Sequence, residues 1–412
     1  MIEAENKELI RIIQDRMREK GRLTFAEFLD WVLYHPVHGY YNREAERFGP
    51  RGDYYTSANM HPIFGRLIAR QMHGLWEALG HPHSFSIVEF GPGTGAVARD
   101  ILEECRTRFS PLYEILSYIL VERSRSLPAK QERTLAEWVK DGKVRWEEPE
   151  NFLGGGKKLV GCIFSNELID AFPVHRVQRE RGKLQEIYVI QGPQGFGEEL
   201  GPLSHPFLEE YFLRYGKPLE DGQRGEVNWK ALEWMDQVSE ILEEGYILTI
   251  DYGFEAGELY HPWRKAGTLL GYFRHKVSDD PFAHIGHQDL TSHVNFTALV
   301  RRGEERGLEK IGLIEQYRFL VGLGLLEELE EWEKKAGELS GVEFIQGKLG
   351  MRNFLIPGGM GSLFKVLLQQ KRGKGSPASE TAQGIPFPWN RFENGHHFSR
   401  VKVTLPSRIR DK

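Results

Sequence analysis

A short apolar strand that runs straight into a glycine-rich turn constrains this chain more than any other stretch. Ser86 to Phe90 reads as the strand, Gly91-Pro92-Gly93-Thr94-Gly95 follows, and helical spacing then continues from Gly95 to Arg106. The middle of the chain keeps the same rhythm. Strands are expected at Tyr118 to Glu122, Val144 to Glu147, Leu159 to Phe164 and Tyr246 to Asp251, with a helix at Leu127 to Val139. Short apolar strands alternating with helices predict an α/β fold with a doubly wound, mostly parallel, Rossmann-like sheet.

The flanks break that rhythm. Leu9, Ile10, Ile12, Ile13 and Met17 recur among charges as on an amphipathic helix. Thr24 with Glu27 forms a capping-box start for a second helix, and residues 62–79 have helical spacing again. Residues 1–80 are therefore read as an N-terminal helical extension with a Gly- and Tyr-rich loop that covers the pocket. Residues 81–371 form the main domain, residues 174–235 an inserted α+β segment, and residues 372–412 a flexible tail. Thr268 to Lys276 and Leu363 to Gln369 are further strand candidates, expected to pair at the sheet edge.

Composition narrows the function classes. The 412 residues carry a formal net charge of −5, so the broad basic footprint of a nucleic-acid binder is missing. The two cysteines, Cys105 and Cys162, can build neither a disulfide framework nor a cysteine zinc site, and read as small buried hydrophobes. His284, His287 and His293 lack the spacing of a zinc site, and no metal is expected. A charged N-terminus and the lack of an apolar run of about 18 residues predict a cytoplasmic protein without a membrane span.

The glycine turn points to a ligand. Glycines let the backbone turn tightly and approach a bound molecule, and the following helix offers free N–H donors. Gly91, Gly93 and Gly95 are assigned to the cofactor; Gly91, Gly93 and Ala96 also satisfy the looser dinucleotide fingerprint. Two acids separate the alternatives. Glu122, at the end of the next strand, suits ribose hydroxyls of either a nicotinamide dinucleotide or S-adenosylmethionine. Glu89, inside the first strand, suits a cationic amino-acid tail, which only S-adenosylmethionine carries. Methyl transfer is thus preferred over hydride transfer.

A second cluster follows the strand Leu159 to Phe164. Asn166, Glu167 and Asp170 would sit at the mouth of the sheet, where doubly wound folds bind their ligands. Asn166 is assigned to the cofactor, Glu167 and Asp170 to the methyl acceptor, and His175 to later proton loss. Lys276 with His275, and Asp289, read as lining or supporting the pocket.

At this point the sequence resembles the MidA-like methyltransferases, a family that includes a mitochondrial complex I assembly factor regarded as a protein arginine methyltransferase. The resemblance rests on Gly39-Tyr40-Tyr41, Gly52-Asp53-Tyr54-Tyr55-Thr56-Ser57, Val88 to Gly95, Asn166 to His175, Asp251-Tyr252-Gly253, Gly271 to Lys276 and Asp289 to Phe296, in the family's order. Ala58-Asn59 stand where the family has Pro-Glu. The resemblance implies a class I methyltransferase core that uses S-adenosylmethionine. It implies that Asp53, Tyr55 and Thr56 belong to the cofactor pocket. It further implies a protein acceptor, with arginine as the side chain and a respiratory-complex subunit as the partner. Small-molecule or RNA methylation on the same core, and a cofactor-binding assembly factor with little catalysis, stand as the alternative readings.

Overall fold

The structure is a computed structural model and describes residues 6–43, 61–193, 195–337, 340–356 and 360–373. Numbered along the chain, the first strands are β1 (Leu23–Thr24), β2 (Phe85–Phe90), β3 (Leu116–Val121), β4 (Val144–Glu147) and β5 (Leu159–Asn166). Then come β6 (His175–Glu180), β7 (Lys183–Gly192), β8 (Gly195–Gly201), β9 (Arg224–Val227) and the long β10 (Leu242–Phe254). The last third adds β11 (Leu270–Phe273), β12 (Lys276–Ser278), β13 (Asp289–Thr291), β14 (Val294–Asn295), β15 (Glu309–Glu315) and β16 (Phe364–Lys371).

The main sheet has the order β4-β3-β2-β5-β10-β16-β15, with β14 beside the end of β10. The first five strands are parallel, and β16 runs antiparallel to both of its neighbours. Apolar side chains leave both faces, as a sheet covered on two sides requires. Ile87 joins a core under the helices Ile63–Ala78 and Ala96–Arg108, while Val88 joins one under Trp229–Ile241 and Phe296–Glu305. Cys105 and Cys162 are free and fully buried in the first of these cores. The chain moves outward from β2 to β4 and then crosses back to β5 on the other side of β2. The ends of β2 and β5 therefore splay apart at a topological switch point, where such folds hold their ligands.

The structure corrects the expected edge. Leu363 to Gln369 overlaps β16, which lies inside the sheet because Val366, Leu367 and Leu368 are fully buried. The edge is β15, whose outer residues Glu309 and Lys310 are exposed. Thr268 to Lys276 joins no main strand. Arg274 and His275 both take positive φ (48° and 60°), turning the chain into a β11–β12 hairpin within a separate three-stranded sheet.

The N-terminal extension and the inserted segment form one body. The helix Lys7–Lys20 and the helix Phe25–Tyr34, opened by the Thr24–Glu27 capping box, bury Leu9, Ile13, Phe25 and Phe28 against Val174 and Val189. β1 pairs antiparallel with β7, completing a five-stranded sheet with β6, β8 and β9. The tryptophan-bearing helix Trp229–Ile241, read from sequence as part of the insertion, packs on the main sheet through Trp234, Met235 and Val238.

Candidate active site

A cavity of about 600 Å³ opens at the splayed ends of β2 and β5. Its floor is the glycine turn. Gly91, Gly93 and Gly95 have φ of 67°, 55° and 79°, a left-handed run that side chains with a Cβ resist. A Cβ on Gly93 would meet no protein atom within 4 Å, so this backbone faces open space. Gly95 differs: it lies outside the cavity lining, and its Cβ would press on Leu135 at 3.3 Å. Its role is to let the helix Ala96–Arg108 pack, which corrects its assignment as a ligand contact.

Glu89 lies in the floor, 3% exposed, and its Oε2 accepts from Tyr118 Oη at 2.8 Å. Burial pushes its carboxyl up to about 7, with the charge of Glu122 adding to the rise and the Tyr118 hydroxyl opposing it. A cation bound beside Glu89 would reverse that penalty. Glu122 is fixed from two sides: Ser124 N donates to Oε1 at 2.6 Å and Gln131 Nε2 to Oε2 at 2.9 Å. The same Gln131 nitrogen donates to Gly93 O at 2.9 Å, while its Oε1 accepts from Trp146 Nε1 at 2.8 Å. Fully buried Gln131 therefore locks the acid to the turn. Sequence reading missed it. The available signal was one amide among the apolar positions of the helix Pro128–Lys140.

Across the switch point, Asn166, Glu167 and Asp170 line the same cavity. Glu167 has φ of 53°, a left-handed conformation costing on the order of 1–3 kcal/mol for such a residue. Asp251, read from sequence only as a strand end and part of the Asp251-Tyr252-Gly253 motif, holds it there. Its Oδ2 accepts from Leu168 N, Ile169 N and Asp170 N at 3.3, 2.9 and 3.3 Å, and its Oδ1 from Tyr252 N at 2.9 Å. Burial pushes the Asp251 carboxyl up to about 7, and those donors oppose the rise. Asp170, whose Oδ1 accepts no hydrogen bond, is held far above the usual carboxylate range by burial and by the Asp251 charge. Asn166 Oδ1 and His293 Nδ1 are likewise buried without partners. Burial lowers His293 to about 4, so this imidazole is neutral.

Several expected residues lie elsewhere. His175 is outside the cavity lining; it opens β6, and its Nδ1 meets Glu186 Oε1 at 2.8 Å. The chain turns away at Pro173, and the buried Val174 anchors it in the N-terminal core. His275 and Lys276 are exposed at the β11–β12 hairpin, whereas Asp289 does line the cavity. His284 stacks on Phe273, and His287 contacts Arg43, so the three histidines serve different places. Asp53, Tyr55 and Thr56 lie outside the described residues.

The fold and this cavity define a class I S-adenosylmethionine-dependent methyltransferase. The chain belongs to the S-adenosyl-L-methionine-dependent methyltransferase family whose family model matches residues 67–314. Among its relatives is the mouse mitochondrial protein arginine methyltransferase NDUFAF7, 30% identical over 404 residues covering 91% of this chain and 87% of that protein. The human counterpart is 28% identical over 401 residues, 92% of this chain and 88% of that protein. A solved superfamily member from Burkholderia thailandensis, bound to S-adenosyl-homocysteine and taken to be a methyl transferase, matches with a TM-score of 0.79. It is 27% identical, with 94% of each chain covered.

The residues fit that cofactor. Open space beside Gly93, the unpartnered Asn166 Oδ1, the locked Glu122 and the buried Glu89 supply a backbone cradle, an acceptor and two acids. When bound, S-adenosylmethionine supplies an electrophilic methyl group on a sulfonium.

Proposed function

We propose that this enzyme methylates an arginine side chain of a protein. One observation carries the reading: among the described residues lining the cavity, six are carboxylates (Glu89, Glu122, Glu150, Glu167, Asp170 and Asp289) and a single arginine, Arg123, opposes them. Such a site suits a cationic acceptor as well as a cationic donor. The names of the relatives support the same acceptor.

A guanidinium is a poor nucleophile because its charge is delocalised and its pKa exceeds ~12. Glu167 grips one edge of the planar fork and biases charge toward it, leaving the other nitrogen better able to attack. Contact with that cation offsets the burial of Asp170 and ionises it. Asp170 then takes the proton that the acceptor nitrogen loses as its new N–C bond forms.

The test is incubation with isotopically labelled S-adenosylmethionine and protein extract, a respiratory-complex subunit being the first candidate by resemblance, followed by mass spectrometry of peptides. Label on arginine supports the reading. Label on lysine, nucleic acid or small molecules only overturns it.

A further inference from the structure

The N-terminal helices precede the methyl-transfer fold in sequence, yet they reach the wall of the cavity. The helix Phe25–Tyr34 and the turn behind it bring two tyrosines to the wall, Tyr34 and Tyr41, with rings 5.2 Å apart and tilted by 31°. Hydrogen bonds to the main domain fix both. Tyr34 Oη donates to Ala171 O at 2.8 Å, and Tyr41 Oη to Asp289 Oδ1 at 2.7 Å. Ser124 Oγ donates to Tyr41 O at 2.7 Å. Asp289 is 1% exposed, and Tyr34 lies within the field of both Asp289 and Asp170. The wall is therefore aromatic surface beside buried carboxylates.

One guanidinium already uses it: Arg123 Cζ lies 4.4 Å from the centre of the Tyr34 ring. We propose that Tyr41, tied to Asp289, is a specificity residue that makes this subsite select a planar guanidinium over an ammonium. The inference rests on the arginine reading above. A guanidinium can lay its weakly hydrated plane on an aromatic face while its fork reaches a carboxylate at the ring's edge. An ammonium is a compact, strongly hydrated charge that forfeits the stacking half of that contact. The tie to Asp289 fixes the ring angle, so both halves are met at once.

The experiment titrates the full chain, loaded with S-adenosylhomocysteine, with N-acetyl-arginine methylamide, the matching lysine compound and free arginine. Calorimetry or NMR reads the affinities. Wild type should bind the arginine compound at least about tenfold more tightly than the lysine compound. Tyr41→Ala should abolish most of that preference while S-adenosylhomocysteine affinity changes less than about twofold. Tyr41→Phe keeps the ring, loses the tie and should give an intermediate preference, so a folding failure of the alanine variant leaves the test intact. Equal affinity for the two capped compounds in wild type overturns the proposal, as does an unchanged preference in both variants. If Glu167→Gln still weakens arginine binding in that second case, the arginine reading survives without it. Tighter binding of free arginine than of the capped residue, or no binding of either cation, overturns both.

Discussion

Replacing Glu89 by Gln should make the ligand-free protein more stable and the cofactor complex weaker. Its carboxyl titrates at about 7 in the folded chain against an ordinary 4.5. The sign follows from linkage: the folded state binds this proton more tightly, so the burial penalty is absent below pH 4.5, grows as pH rises, and is complete above pH 7. At ~1.4 kcal/mol per pH unit, ionising Glu89 costs about 3 kcal/mol at pH 8 and about 1 kcal/mol at pH 5.5. Gln has nearly the same shape and can still accept from Tyr118. Glu89→Gln should therefore raise the unfolding midpoint by roughly 4 °C at pH 8, and by clearly less at pH 5.5. Against that, the variant loses a charge-assisted contact to the cofactor's ammonium, on the order of tenfold to a hundredfold in affinity. Wild-type affinity should fall as pH drops below 7, since the carboxylate must first release its proton, and should level off above it. Thermal unfolding without ligand at both pH values, with S-adenosylhomocysteine calorimetry alongside, reads every term. A variant no more stable than wild type at pH 8, or one whose gain is the same at pH 5.5, would refute the reasoning.

Three further outcomes are expected. Gln131→Leu removes the hydrogen bonds to Glu122 Oε2, Gly93 O and Trp146 Nε1 at once, and should lower stability by about 2–4 kcal/mol and cofactor affinity at least tenfold in chemical denaturation and calorimetry; unchanged affinity would remove Gln131 from the site. Gly93→Val places a branched side chain at φ 55° and into the open cradle, so it should block cofactor binding while circular dichroism stays native; binding as in wild type would refute the cradle. Glu167→Gln and Asp170→Asn should each cut turnover at least about tenfold with little change in cofactor affinity, and the pair should be less than additive if both act on one guanidinium. A large loss of cofactor affinity in Glu167→Gln would move that residue into the cofactor subsite.

What the sequence disclosed was what local rules encode. The glycine turn was legible because strand, glycines and helix are neighbours in the chain, and a residue with a Cβ takes the left-handed path of Gly91 and Gly93 only at a cost. Glu89, Glu122, Glu167 and Asp170 were legible because strand ends converge in a doubly wound sheet. The errors share another cause. His175 follows the Asn166–Asp170 cluster closely, but Pro173 sends it into the second sheet, where Glu186 takes it. Gly95 belongs to the motif, but the tertiary neighbour Leu135 decides its role. Tyr41 and Asp289 are 248 positions apart, and nothing local to either announces the bond between them. Gln131, and the holding role of Asp251, were missed for the same reason: their work is to hold other residues, and those residues are set by topology.

The pairing of β1 with β7 has a consequence for how the chain comes off the ribosome. Arg22 finds Glu199 only 177 positions later, so the first helices emerge long before the sheet that receives them. Until then Phe25, Phe28 and Leu29, fully buried in the finished protein, have no partner surface beyond their own helices. Contacts closed over such spans form slowly and leave apolar surface open to wrong encounters. The tyrosine wall waits longer still, because Tyr41 meets Asp289 only 248 positions on. Nascent chains should therefore carry the N-terminal helices without their partner surface until that sheet is made, and those helices are where a chaperone would hold them.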